Sequence, residues 1–132
     1  MALISKIDKV KEFHHVFGLQ YHESPTAEID NKIIELRHRL MQEENDEYLE
    51  ACKNRDLTLI ADALGDKLYI IFGTIIAHGL QHKIEEVFDE IHRSNMSKLD
   101  DQGKPIYRED GKILKSNNYF LPDIQSILAN NK

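Results

Sequence analysis

The 132-residue chain has one cysteine, no excess of basic residues and no long apolar run. The single cysteine, Cys52, excludes an intrachain disulfide framework and fits a reducing compartment. With no clear histidine partner, it reads as a structural thiol rather than a nucleophile. Bases are outnumbered, 17 against 23 acids, for a net charge of −6. Phosphate backbones demand a basic surface, so nucleic acid is not an expected partner. The opening stretch MALISKIDKVKEF alternates charged and apolar residues and lacks the apolar segment of a secretion signal. The longest apolar stretch, about residues 68–77, is too short to span a bilayer and directly follows Asp66-Lys67. These absences predict a soluble, cytoplasmic protein with no membrane partner. Internal repeats and low-complexity segments are also missing.

What is present is helical periodicity. Ile4, Ile7, Val10, Phe13 and Phe17 recur at three- and four-residue steps and predict a first helix over 4–18, ended by Gly18. Ser24-Pro25-Thr26 reads as a helix start, opening a second helix over 27–53 with Ile29, Ile33, Leu36, Leu40 and Ala51 inward. Asp56 caps a third helix, 57–78, which Gly79 closes. A fourth, 83–98, turns Ile84, Val87, Phe88, Ile91 and Met96 inward. Residues 100–119 are polar, with Gly103, Pro105 and Gly111, and predict a small hairpin or ordered loop. Pro122-Asp123 starts a short helix over 123–129. The expected architecture is all-α, a single domain over 1–132. It has a four-helix core (about 4–99) and a C-terminal appendage (100–132) holding the hairpin or loop and the small terminal helix.

The candidate site lies in the second and third helices. The third is apolar around most of its circumference, yet carries Asp62 and Asp66 on one face, about 40° apart at four residues' spacing. The second carries Glu43, Glu44, Glu47 and Glu50. Glu43 and Glu47 are also about 40° apart, with Glu44 about 60° from Glu47 on its far side. The short connection near 54–56 makes the two helices antiparallel, so that Glu43, Glu44, Glu47, Asp62 and Asp66 converge. Carboxylates gathered in this way repel one another unless cations bind, and oxygen ligands without cysteine select hard ions, Mg²⁺ or Mn²⁺. The plainer reading of Glu43–Glu50 is a solvated helix face.

The pattern Glu43-Glu44-x-x-Glu47 followed by Ala61-Asp62-Ala63-Leu64-Gly65-Asp66 resembles the E-E-x-x-E and E-x-x-D motifs of the all-α nucleoside triphosphate pyrophosphohydrolases. That superfamily includes MazG-type enzymes, dimeric dUTPases and phosphoribosyl-ATP pyrophosphohydrolase. His92-Arg93-Ser94-Asn95-Met96-Ser97-Lys98-Leu99 and Arg108-Glu109-Asp110-Gly111-Lys112 are similar to a phosphoribosyl-ATP pyrophosphohydrolase-like branch, and the resemblance covers about residues 30–128. The chain departs from the pattern at position 63, where Ala63 stands in place of a glutamate. Asp62, one residue earlier, still shares a face with Asp66, as a ligand or as an outer residue.

The resemblance implies a MazG-like fold and metal-dependent cleavage of a nucleoside triphosphate between the α- and β-phosphates. It implies Glu47 and Asp66 as metal ligands with Glu43, Glu44 and Asp62, and either Glu43 or Glu44 as the base. Lys98, Asn95 and Arg93 match the family's phosphate-contacting positions, although Lys98 also suits a helix C-terminus; Lys67 and Lys115 are further candidates. Homodimers or homotetramers are implied as well, in keeping with the apolar girth of the third helix. The alternatives are hydrolysis of phosphoribosyl-ATP in histidine biosynthesis and a non-catalytic nucleotide- or metal-binding regulator. A di-iron bundle built on Glu12-x-x-His15 and Glu35-x-x-His38 is a further one. The other histidines, His14 and His78 among them, read as surface or helix-end residues.

Overall fold

Among the described residues five helices form, near the expected positions except at the start of the second: α1 (Ala2–Val16), α2 (Asn31–Lys53), α3 (Leu57–Ala77), α4 (Ile84–Met96) and α5 (Ile124–Ala129). A two-stranded antiparallel ribbon, β1 (Ile106–Tyr107) and β2 (Ile113–Leu114), pairs Ile106 with Leu114 and Tyr107 with Ile113. The computed structural model describes residues 2–130. The fold is all-α, as expected. No helix among the described residues is long and apolar enough to cross a membrane.

The helix starts show which sequence signals carried through. The Asp56 carboxylate accepts from the Leu59 amide at 3.1 Å and opens α3; the Asp123 carboxylate accepts from the Ser126 amide at 3.2 Å and opens α5. Ser24-Pro25-Thr26 does not open α2. The Thr26 hydroxyl instead accepts from the Glu28 amide at 3.1 Å, while the Thr26 amide donates to the His78 carbonyl at 2.9 Å. The cap is Asp30, whose carboxylate accepts from the Lys32 amide at 2.8 Å, so α2 begins at Asn31.

Asn54, Arg55 and Asp56 reverse the chain between α2 and α3. Arg55 adopts φ 51°, the left-handed conformation that commonly ends a helix. The Asp56 amide donates to the Ala51 carbonyl at 3.2 Å. This short turn lays α3 back along α2, with Ala51 and Ala63 buried. Small residues permit close approach of the two helices. α1 packs against α3 through the buried Ile7 and Val10.

The chain divides into two compact units after His82. The first holds α1, α2 and α3. The second holds α4, the ribbon and α5, so α4 groups with the C-terminal elements. One reason is visible at its start, where Lys83 Nζ donates to the Asn130 carbonyl beyond α5. Ser94 Oγ donates to the Phe120 carbonyl at 2.8 Å, and Ser116 Oγ to the Leu99 carbonyl at 2.6 Å, folding the 97–120 segment onto α4.

Within the first unit, the segment between α1 and α2 is fastened to the end of α3. The His22 amide donates to Ile76 O at 3.0 Å, His22 Nδ1 lies 2.8 Å from Ala77 O, and Gln81 Nε2 donates to His22 O at 2.8 Å. Gly79 makes this possible. It has φ +67°, and a Cβ there would sit 2.0 Å from Ser24 O. Gly79→Ala is therefore expected to destabilise by roughly 2 kcal/mol or more, given the usual strain of a left-handed side chain of about 1–3 kcal/mol. Gly65, inside α3 with open space at its Cβ position, is the control. Gly65→Ala should stabilise by roughly 0.5–1 kcal/mol. Urea denaturation of both variants checks the pair; equal effects of one sign would contradict it.

Candidate metal centre

Antiparallel packing sets the second half of α2 beside the first half of α3. Glu44, Glu47 and Asp66 each offer a carboxylate oxygen, and the three oxygens lie within 4.8 Å of one another. Glu44 is half-buried, while Glu47 and Asp66 are exposed. Desolvation pushes the Glu44 carboxyl above its ordinary range, and repulsion from Glu47, then Asp66 and finally Asp62 pushes it further. Glu44 Oε2 is buried and has no hydrogen-bond partner. An anionic oxygen without a donor, beside two further carboxylates, suits a cation.

Glu43 is exposed and stands outside this trio. Asp62 is exposed too; with Glu47, Glu50, Ala51, Asn54, Leu59 and Ala63 it lines a cavity of about 220 Å³. The aspartates are thus not embedded in an apolar interior within a single chain. Only one side of α3 is covered, at Ala63, Gly73, Ile76 and Ala77, and Leu57, Leu59, Leu64 and Leu68 are exposed beside the aspartates. Periodicity reports how apolar a helix is, not which faces its own chain covers.

The other expected residues are positioned as follows. Lys67 Nζ donates to Asn45 Oδ1 across the α2–α3 seam. Arg93, Asn95 and Lys98 belong to the second unit. Arg93 is engaged by Glu90 at 2.9 Å and lies 4.5 Å from the centre of the Phe120 ring. Asn95 is exposed and Lys98 half-buried just beyond α4. Lys115 Nζ lies 4.7 Å from the centre of the Tyr119 ring. Glu12, His15, Glu35 and His38 are all exposed. His14 does sit at a helix end, but it is buried, 3% exposed, beside the buried Arg37. Neither was legible as a core residue, because polar side chains on a helix ordinarily mark its solvated face.

Three carboxylates gathered on two antiparallel helices of an all-α scaffold suit a divalent cation, and the class of the protein follows from its family. The sequence model for phosphoribosyl-ATP pyrophosphohydrolase matches residues 10–95, about two-thirds of the chain, and the chain belongs to that family, within the MazG-like all-α superfamily. The family consists of pyrophosphohydrolases that act on nucleotides and depend on divalent metal. No curated protein matches the chain.

The raised Glu44 pKa has a signed consequence. The folded protein binds this proton more tightly than the unfolded chain does. Ionised Glu44 therefore costs stability at neutral pH, and the cost fades as the pH falls through its folded-state pKa to the ordinary carboxylate value. Without metal, Glu44→Gln is expected to raise Tm at pH 7 and to lose that advantage below about pH 4. Mn²⁺ should raise the wild-type Tm and move the variant little. Thermal melts across pH, with and without Mn²⁺, decide it; a lower Tm for the metal-free variant at pH 7 would contradict the reading.

Proposed function

We propose that the chain is a divalent-metal-dependent nucleoside triphosphate pyrophosphohydrolase, acting as one enzyme domain and using Mg²⁺, with Mn²⁺ as a substitute. The observation that carries this is the Glu44–Glu47–Asp66 trio with its unpartnered buried oxygen. Hydrolysis adds one water across the α–β anhydride. A proton leaves the water, the bridging P–O bond breaks, and a nucleoside monophosphate and pyrophosphate result.

Glu44, Glu47 and Asp66 would hold the metal, which when bound supplies charge neutralisation for the phosphates and a more acidic water. Glu43 directly precedes Glu44 on the same helix, is exposed and lies outside the trio, and so is free to accept the proton of the attacking water. Asp62 adds negative potential at Glu44 and serves as an auxiliary ligand or as a holder of outer waters. Lys98 and Asn95 would contact phosphate oxygens, and Arg93 would join them from its pairing with Glu90. The exposed leucines of α3, with Leu57 at 78% and Leu68 at 52%, support a homodimer or homotetramer that covers them. A monomer by light scattering would oppose that.

The family match favours a second substrate, phosphoribosyl-ATP, whose cleavage breaks the same bond by the same chemistry. Pyrophosphate release from ribo- and deoxynucleoside triphosphates and from phosphoribosyl-ATP, with Mg²⁺ or Mn²⁺, separates the two. Release from none of them would sink both.

Glu47→Gln and Asp66→Asn are each expected to lower kcat/KM by roughly 10³-fold or more, a loss of about 4 kcal/mol at the transition state, with helical content unchanged by circular dichroism. Full activity in both would remove the trio from catalysis. Lys98→Ala is expected to raise KM by roughly tenfold, the scale of one lost charge-assisted hydrogen bond. An unchanged KM would take Lys98 out of the substrate site.

A further inference from the structure

Each helix of the first unit contributes one residue to a polar node in the core: His14 from α1, Arg37 from α2 and Gly73 from α3. His14 is 3% exposed and Arg37 is 7% exposed. A Cβ on Gly73 would come within 2.4 Å of Arg37 Nη2 and 3.0 Å of His14 Nε2, so glycine is what admits both side chains. Arg37 donates from Nη2 to the Ile70 carbonyl at 2.7 Å and from Nε to Thr74 Oγ1 at 3.0 Å. The Thr74 hydroxyl in turn donates to the Ile70 carbonyl at 2.9 Å. No carboxylate pairs with Arg37 among the described residues.

A buried guanidinium without a counter-ion is an expensive way to join two helices, and an apolar residue of similar size could fill the space. Its directional bonds offer something apolar contacts lack. They fix α2 to one turn of α3, the one that holds Ile70 and Thr74. The carboxylate trio needs such a fixture. Glu44 lies seven residues beyond Arg37 on α2, a rise of roughly 10 Å. Asp66 precedes Ile70 by four residues and Thr74 by eight on the antiparallel α3. Beyond the trio, the Asn54–Asp56 turn ties the two helices covalently. Between turn and Arg37, mutual repulsion of Glu44, Glu47 and Asp66 pushes the helices apart. Among the described residues, a further polar link along this stretch, Lys67 to Asn45, lies exposed to solvent.

We infer that Arg37 is a positioning residue for the carboxylate cluster: with Gly73 making room, it clamps α2 to α3 at the end opposite the turn and holds Glu44 and Glu47 beside Asp66 against their repulsion. The consequence for cation affinity rests on the metal-binding reading proposed above; the clamp itself does not.

The test uses the full chain with Cys52→Ser and nitroxide labels at Glu35→Cys and Leu68→Cys, both exposed in the single chain, diluted with excess unlabelled protein so that only distances within one chain are read. Pulsed dipolar spectroscopy reads the α2–α3 separation, and Mn²⁺ titration reads affinity. With Arg37 present, one narrow distance distribution is expected. Arg37→Met should broaden it or lengthen it by several ångströms and weaken Mn²⁺ binding at least tenfold. Arg37→Lys, which has no planar fork to reach both acceptors, should fall between and keeps the test open if Arg37→Met does not fold. Val10→Ala, a core truncation on α1, should lower Tm while leaving Mn²⁺ affinity at the wild-type value. An unchanged distance distribution in the Arg37 variants overturns the clamp, whatever the metal does. A changed distribution with unchanged Mn²⁺ affinity overturns the positioning role. If the wild-type protein binds no Mn²⁺, the metal-binding reading fails, and the distance distributions still decide the clamp.

Discussion

Repulsion among Glu44, Glu47 and Asp66 is the constraint around which the first unit is arranged. Three carboxylate oxygens within 4.8 Å of one another are unfavourable in a metal-free protein, more so with one of them half-buried. The scaffold brings them together regardless. The short turn at Asn54–Asp56 and the buried Ala51 and Ala63 hold α2 and α3 close, and the node at Arg37 and Gly73 closes the other end. Folding energy from the helix seam is thereby held against charge repulsion, and a divalent cation placed there would relieve the repulsion and be bound the more tightly for it. Part of the stability of such a site belongs to its ligand.

That arrangement suits hydrolysis of a phosphoric anhydride, where the protein's task is mostly to position groups and to neutralise charge. Family membership over residues 10–95 and the geometry of three carboxylates within that stretch point the same way. Ala63 is instructive here. It is buried on the α2 seam and lines the same cavity as Asp62, the exposed acid one residue earlier.

Much of this was legible in the sequence for identifiable reasons. Asp56, Asp123 and Gly79 mark element ends through local bonds or a left-handed φ, and local signals survive folding. The acid spacing on α2 and α3 placed Glu44, Glu47 and Asp66 on facing sides because helical periodicity and a short connection suffice for that. Ser24-Pro25-Thr26 misled because a tertiary partner, the end of α3, claimed Thr26 and moved the start of α2 to Asn31. The apolar girth of α3 gave no warning that Asp62 and Asp66 are exposed, since one chain covers only one side of the helix. His14 and Arg37 were not legible as core residues, because their burial depends on a missing side chain at Gly73 of another helix. The grouping of α4 with the C-terminal elements likewise rests on long-range bonds such as Ser94 to the Phe120 carbonyl.

The central claim is that the trio binds a divalent cation. Electron paramagnetic resonance of free Mn²⁺, titrated into metal-free protein at pH 7, tests it most directly. The account predicts saturable loss of the free-ion signal in the wild-type protein and loss of that saturation when Glu44, Glu47 and Asp66 are replaced together by their amides. Equal uptake of Mn²⁺ by the wild-type and the triple-amide protein would contradict it.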